Sequence, residues 1–353
     1  MASLKALSVV LLLSLNALCS AAAGQRAHCV KEPIPPLEPV TQAYVDSGAG
    51  GTPIYKLSYS AARASLEAAQ APGSPSLDTV DYKELEIPVG PTGSVNIHVF
   101  RPLGTSNKTL PVIVYFHGGG WILGSPKTHR RLVLDLVFET DAAVFFVNYT
   151  RAPEAQFPVL IQQAQAAIAW LHEYGYKELN LDHQRIAFAG DSVGGGMSAA
   201  VNFLSLQKGR RDLVPKFQAL FYPLTDTSKE SCTYQTFFDG PGLQVKTLRW
   251  MINAFAPNKS DRKSVLASPL LASDGLLKQL PETLVMVAEV DPLRQEGEEF
   301  ARRLSAAGVR TTVVRVEGTV HDFVMLNGLA QTPAARLAVQ VAGLYLKKAL
   351  LGA

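Results

Sequence analysis

The sequence predicts an α/β fold: a mostly parallel, doubly wound sheet with a helical cap. Three observations predict it. From residue 112 onward, short runs that are apolar throughout alternate with helical segments, as parallel strands covered on both faces do. Ahead of them, two stretches alternate apolar and polar residues, as a half-buried antiparallel pair does. A long gap, 226–280, then breaks the rhythm, and a connection of that length is expected to be a helical insertion.

The elements follow in chain order. Residues 24–80 are expected to form an N-terminal arm and cap helices. Pro33, Pro35, Pro36 and Pro39 favour an extended arm, and helices are expected near 36–47 and 58–70. Tyr82–Pro88 and Val95–Arg101 are the alternating pair, joined by the turn Pro91-Thr92-Gly93. Strands at Val112–Phe116, Ala143–Val147 and Arg185–Ala189 are followed by helices at Thr128–Glu139, Pro158–Tyr174 and Val193–Leu206. Phe217–Tyr222 is a strand that leads into the insertion, where Val245–Ala256 has helical spacing. Thr283–Glu289, Arg294–Ala307, Thr312–Val316 and Thr332–Ala349 close the pattern as strand, helix, strand and helix. The catalytic domain is read as 81–353, with the insertion and the N-terminal helices roofing its sheet.

The 353 residues are 47% hydrophobic and 18% charged, a globular balance with ample material for a core. Thirty-three Lys and Arg against 30 Asp and Glu give +3, and no run of five like charges occurs. Nucleic acid is therefore not an expected partner, since phosphate binding needs clustered basic charge. Lys5, the largely apolar Ala6–Leu18 and Ala21-Ala22-Ala23 have the order of a secretory signal. The apolar run is shorter than the ~18–20 residues of a bilayer span. Residues 1–23 are expected to be cleaved, leaving a mature chain secreted or held in the secretory-pathway lumen, without a membrane span.

Cleavage removes Cys19 and leaves Cys29 and Cys232, either a candidate disulfide in an oxidising compartment or two free thiols. Asn107, Asn148 and Asn258 open N-x-Ser/Thr sequons and are candidate glycan sites. Asn107 lies in a polar turn, whereas Asn148 ends an apolar strand.

Gly190-Asp191-Ser192-Val193-Gly194 follows one strand and opens the next helix. A G-x-S-x-G sequence in that context lifts the serine hydroxyl above the sheet edge on a strained turn, with free helix N–H groups beside it. Serine needs a base to become a nucleophile. Of seven histidines, His117 and His321 follow strands, where catalytic groups of such sheets gather. His321 comes last, as the order Ser, acid, His requires. Asp291, after the strand Thr283–Glu289, is the candidate acid, and an N-cap role before Pro292 is compatible with it. Glu289 is the spare candidate. His117-Gly118-Gly119-Gly120-Trp121 follows Val112–Phe116, and its glycines let backbone N–H groups face the site. Gly118, Gly119, Gly120 and Val193 are the candidate oxyanion hole, with His117 as an anchor of the loop. Trp121 is the candidate substrate-binding residue. Tyr234, Phe237, Phe238, Trp250 and Phe255 are candidates for the pocket wall or for plain core packing.

HGGGW, GDSVGG, DPLR and HDF, with Tyr149–Glu154 beside a strand, together resemble the hormone-sensitive-lipase-like branch of the α/β-hydrolases over residues 80–350. The resemblance implies a carboxylesterase or acetyl esterase with Ser192, Asp291 and His321 as triad. It also implies a cap built from N-terminal helices and the insertion after Phe217–Tyr222, and a supporting role for Tyr149–Glu154. Val193 stands where Ala is common and Asp322 where Gly is common. The expected partner is a small-molecule ester, and no metal, nucleotide or organic cofactor is implied. The same triad would serve a lactonase or transesterase, and a non-catalytic small-molecule receptor could keep the fold.

Overall fold

The computed structural model describes Cys29 and residues 33–352. The segment 1–23 expected to be a secretory signal, Cys19 within it, and most of the arm up to Glu32 lie outside the described residues. Cys29 and Cys232 are each disulfide-bonded.

Pro33–Ala353 forms one compact unit. Its first helices are α1 (Pro39–Ser47) and α2 (Tyr59–Gln70). Helix α1 begins later than the spacing suggests because Pro39, with no N–H and a fixed φ, sits at its first turn. Ser58 Oγ caps α2 by accepting the Ala61 N–H at 3.2 Å. Strands β1 (Val80–Ile87) and β2 (Val95–Pro102) follow. Then come β3 (Leu110–Phe116), α3 (Arg130–Thr140), β4 (Ala143–Asn148), α4 (Val159–Leu179), β5 (Leu181–Asp191), α5 (Val193–Gln207) and β6 (Phe217–Phe221). The insertion holds α6 (Cys232–Thr236), α7 (Val245–Phe255) and the single turn α8 (Asp274–Leu277). The chain ends with β7 (Glu282–Val290), α9 (Arg294–Ala306), β8 (Thr311–Val320) and α10 (Pro333–Leu351).

Among the described residues the eight strands form one sheet in the order β1-β2-β4-β3-β5-β6-β7-β8. The first two pairings, β1 with β2 and β2 with β4, are antiparallel; all others are parallel. The sequence reading of a mixed edge on a parallel sheet therefore holds. Strand β5 starts earlier than expected, because Leu181 pairs with Leu110 while the polar Asp182, His183 and Gln184 hide the strand pattern.

The apolar runs have a simple cause. Successive strand residues point to opposite faces. Val112, Val114 and Phe116 pack in the core shared with α4, α5 and α7, while Ile113 and Tyr115 pack in the core shared with α3 and α10. Both faces of β3 are dry, so each of its positions is apolar; each such side chain contributes ~1.5–3 kcal/mol by burial. Helix α5 is buried from Val193 through Ser205, which explains why it lacks a polar face. Among the described residues no helix is long and apolar enough to cross a membrane.

The register matters most for chemistry. Phe116 pairs with Gly190, Asp191 with Phe221, Phe221 with Met286, and Val290 with Val320. The residues that follow these strand ends, His117, Ser192, Tyr222, Asp291 and His321, therefore leave the sheet along one edge.

Candidate active site

Ser192 occupies the turn between β5 and α5 with φ 55° and ψ −121°. An L-residue rarely adopts that conformation, and it persists only where packing enforces it. The enforcement comes from close backbone approach. A Cβ on Gly194 would stand 2.0 Å from the Phe116 carbonyl oxygen, and one on Gly190 would stand 2.5 Å from the Gly194 carbonyl group. Two residues on, a Cβ on Gly196 would stand 2.1 Å from the Leu224 oxygen. The glycines let α5 press against the ends of β3 and β6, which holds Ser192 out over the sheet.

His321 Nε2 lies 2.9 Å from Ser192 Oγ, and His321 Nδ1 lies 2.7 Å from Asp291 Oδ2. A carboxylate only accepts, so Nδ1 carries a proton, and in the neutral ring Nε2 accepts from the serine hydroxyl. Asp291 Oδ1 accepts the Leu293 N–H at 2.9 Å. The two roles weighed for Asp291, partner of His321 and acceptor at the next turn, are thus filled by its two oxygens. Ser192 and His321 are 4% and 5% exposed and Asp291 is fully buried. Burial alone pulls the His321 pKa down, but the carboxylates of Asp291 and Asp322 outweigh it and hold it up at about 9. Glu289, the spare acid, lies elsewhere: its Oε2 accepts the Gly318 N–H at 2.8 Å.

The loop after β3 is held from several sides. His117 is fully buried, stacks on Tyr149 at 4.1 Å, and donates from Nδ1 to the Gly118 carbonyl at 2.9 Å. Burial, with His129 next, lowers its pKa to about 3, so it is neutral and acts as an anchor. The Tyr149 hydroxyl donates to the His117 carbonyl at 2.8 Å, Ala152 N–H to the Trp121 carbonyl at 2.8 Å, and Arg151 to the Gly124 carbonyl at 2.8 Å. Arg63 of α2 joins in, donating to the Ile122 carbonyl and pairing with Glu154 at 2.7 Å. Tyr149–Glu154 therefore clamps the glycine loop.

A cavity of about 580 Å³ opens over Ser192, within the range of small-molecule sites. Gly119, Gly120 and Val193 line it beside Ser192 and His321. Val193 opens α5, where the first N–H groups have no intrahelical acceptor. Leu123, Leu224, Leu248, Met251 and Leu326 make the wall apolar, and the loop 48–54 after α1 completes it. Once the imidazole is neutral, its Nε2, 2.9 Å from the serine oxygen, can take the hydroxyl proton as that oxygen attacks a carbonyl carbon in such a cavity.

Two expectations are corrected. Gly118 does not face the cavity, because its N–H donates to Asp191 Oδ1 at 3.0 Å and is already used. Trp121 does not line the cavity either. It is 3% exposed and its ring stacks on Phe255 at 3.8 Å, so the apolar side chain is spent on joining the loop to α7. The aromatic candidates of the insertion follow it into packing: Tyr234, Phe237 and Phe255 are buried, and Trp250 stacks on Tyr59. Of the sequons, Asn107 and Asn258 are exposed; Asn148 is half-buried and its Nδ2 donates to Asn96 at 3.0 Å.

In the sequence Asp191 reads only as the filler of G-x-S-x-G. Fully buried, it accepts from the Tyr115 hydroxyl at 2.6 Å, from the Gly118 N–H, and from His129 Nε2 at 3.2 Å. Burial alone would raise its pKa, but its contacts with His129 and Tyr115 outweigh that and lower it. An acid directly after the apolar run 186–190 is the available signal, since buried carboxylates need partners.

A family model described as the alpha/beta hydrolase fold matches residues 113–325. An esterase from Gibberella moniliformis is 41% identical over 260 residues, covering 73% of this chain and 81% of that protein. The crystal structure of a carboxyl esterase from Tuber melanosporum superposes with a TM-score of 0.81 at 41% identity, covering 89% of this chain and 99% of that one. That of a thermostable esterase from Pseudomonas putida gives 0.85 at 41%, covering 90% and 99%. With the fold, the strand order and these likenesses in agreement, the chain belongs to the α/β-hydrolase family, in its hormone-sensitive-lipase-like carboxylesterase branch.

Proposed function

We propose that this protein is a secreted serine carboxylesterase acting on short- to medium-chain or small-metabolite esters through an acyl-enzyme. The observation that carries the reading is the hydrogen-bonded series Ser192–His321–Asp291 at the floor of an apolar cavity. In the proposed cycle His321 takes the Ser192 proton as Oγ attacks the ester carbonyl. The Gly119, Gly120 and Val193 N–H groups receive the oxyanion; losing one such donor typically costs ~3 kcal/mol of barrier. His321 then protonates the departing alcohol, and water repeats the sequence to release the acid.

The cavity volume and its leucine and methionine wall favour modest acyl chains over bulk lipid. Secretion is supported by the leader-like residues 1–23, by disulfide-bonded Cys29 and Cys232, and by exposed sequons at Asn107 and Asn258. The test is hydrolysis of p-nitrophenyl acetate, butyrate and decanoate by the mature chain beside Ser192→Ala. Turnover lost in the variant supports the reading. A folded wild type that neither hydrolyses these esters nor is labelled at Ser192 by a fluorophosphonate defeats it and favours a receptor.

A further inference from the structure

His321 faces two carboxylates. Asp291 holds Nδ1 at 2.7 Å, and Asp322 Oδ1 lies 3.3 Å from Nε2, the nitrogen that also meets Ser192 Oγ. Asp322 Oδ1 is buried and makes no hydrogen bond among the described residues. Its position is set by the backbone: residue 322 has φ 67°, and its carbonyl accepts the N–H groups of Met325 and Leu326 at 2.8 and 2.9 Å. Asp tolerates that left-handed conformation better than most residues. Asp322 also borders the cavity. A triad has no need of this second acid.

We infer that Asp322 is a positioning residue of the reaction, a second acceptor for the Nε2 proton that stabilises the imidazolium formed when Ser192 attacks. This rests on His321 being the base of the proposed esterase. The balance is simple. Oγ bonds to the carbonyl carbon, the C=O electron pair moves to oxygen, and the Oγ proton passes to Nε2. The Nε2–H then has Asp322 Oδ1 beside it until the proton is handed to the leaving alkoxy oxygen as the C–O bond breaks. Asp322 ends each step unprotonated.

The groups around His321 bear this out. Asp191 and Ser192 face it from the end of β5 and the turn after it, Asp291 from the end of β7, and the Tyr222 ring edge-on at 4.9 Å from the end of β6. His129, before α3, acts on Asp322, which in turn acts on the Tyr44 hydroxyl of α1. Asp239 is a further carboxylate on the cavity wall. The charged neighbours of the imidazole are thus acids, which raise its pKa against the pull of burial. Burial in turn raises Asp322 to about 6. The two groups titrate as a coupled pair.

The test is the pH profile of kcat/KM for p-nitrophenyl acetate from about pH 5 to about pH 10 in wild type, Asp322→Asn, Asp322→Gly and Asp322→Glu. Fluorophosphonate labelling and NMR titration of the imidazole run in parallel. Loss of the carboxylate is expected to move the acidic limb and the imidazole pKa down by about one pH unit or more. Activity at pH 6, relative to each variant's own plateau, then rises about tenfold. Asp322→Glu, which keeps the charge, returns toward the wild-type limb. Gly suits a positive φ, so it guards against a folding failure in Asn. Coincident limbs and imidazole titrations in wild type, Asn and Gly overturn the assignment while leaving the esterase reading intact. A wild type without turnover or labelling overturns the esterase reading itself, and this role with it.

Discussion

Gly194→Ala places a methyl carbon 2.0 Å from the Phe116 carbonyl oxygen, 2.6 Å from its carbon and 2.8 Å from the His117 oxygen. All three are backbone atoms, so no side chain can swing aside. Reaching even 3.0 Å, a separation real Cβ atoms scarcely go below, requires a movement of 3.0 − 2.0 = 1.0 Å. Either α5 backs away from the sheet, taking Ser192 with it, or the end of β3 yields, taking Gly119 and Gly120. A misplacement of about 1 Å costs on the order of a hundredfold in rate. Overpacking of a well-filled core costs about 1–3 kcal/mol, which for a chain of this size lowers the melting temperature by several degrees. The assay is kcat/KM on p-nitrophenyl butyrate with a thermal melt, beside Gly275→Ala as control. A Cβ on Gly275 would meet only Ser273 Oγ, at an ordinary 3.9 Å. If Gly194→Ala retains activity within about threefold and melts with wild type, the claim that close backbone approach holds the nucleophile is refuted.

Asp291→Asn keeps the shape but withdraws the charge behind His321; kcat is expected to fall about a thousandfold or more with the melting temperature little changed, read from steady-state kinetics and calorimetry. Met251→Ala removes the α7 side chain whose sulfur stands where a Gly120 Cβ would be. The decanoate to acetate ratio of kcat/KM is expected to rise severalfold, and an unchanged ratio would remove Met251 from the acyl wall. Glu296 is 2% exposed, accepts the Thr225 N–H at 2.6 Å and contacts the Tyr234 hydroxyl at 3.1 Å; burial raises its pKa from 4.5 to about 8. It is neutral at pH 7, so Glu296→Gln should stay within about 1 kcal/mol, whereas Glu296→Ala strands buried donors and should lose about 3 kcal/mol or more by urea unfolding. Because the folded pKa is raised, the stability Glu296 contributes is full below pH 4.5 and is lost as pH rises toward 8, so Glu296→Gln should gain on wild type across that interval.

Much of this was legible without coordinates. Apolar runs of period two on both faces dictate a buried parallel sheet, since only an element dry on both sides needs no polar alternation. Ser192, Asp291 and His321 could be found because each must follow a strand and their order is set by the chain. Other assignments depended on direction, which composition does not carry. Gly118 and Trp121 each stand one residue from a position that lines the cavity, Gly119 and Gly120 respectively, yet one N–H turns onto Asp191 and one ring onto Phe255. Asp191 had no visible role until the register brought it beside Tyr115, Gly118 and His129, residues 62 to 76 positions away. Asp322 likewise reads as a loop acid until a φ of 67° turns it toward the imidazole. By itself the sequence determined the sheet, the turn that bears Ser192 and which three side chains form the hydrogen-bonded series, because these follow from local periodicity and chain order. The tertiary structure alone decided which N–H groups and carboxylates face the cavity, because that depends on register and on contacts between residues far apart in the chain.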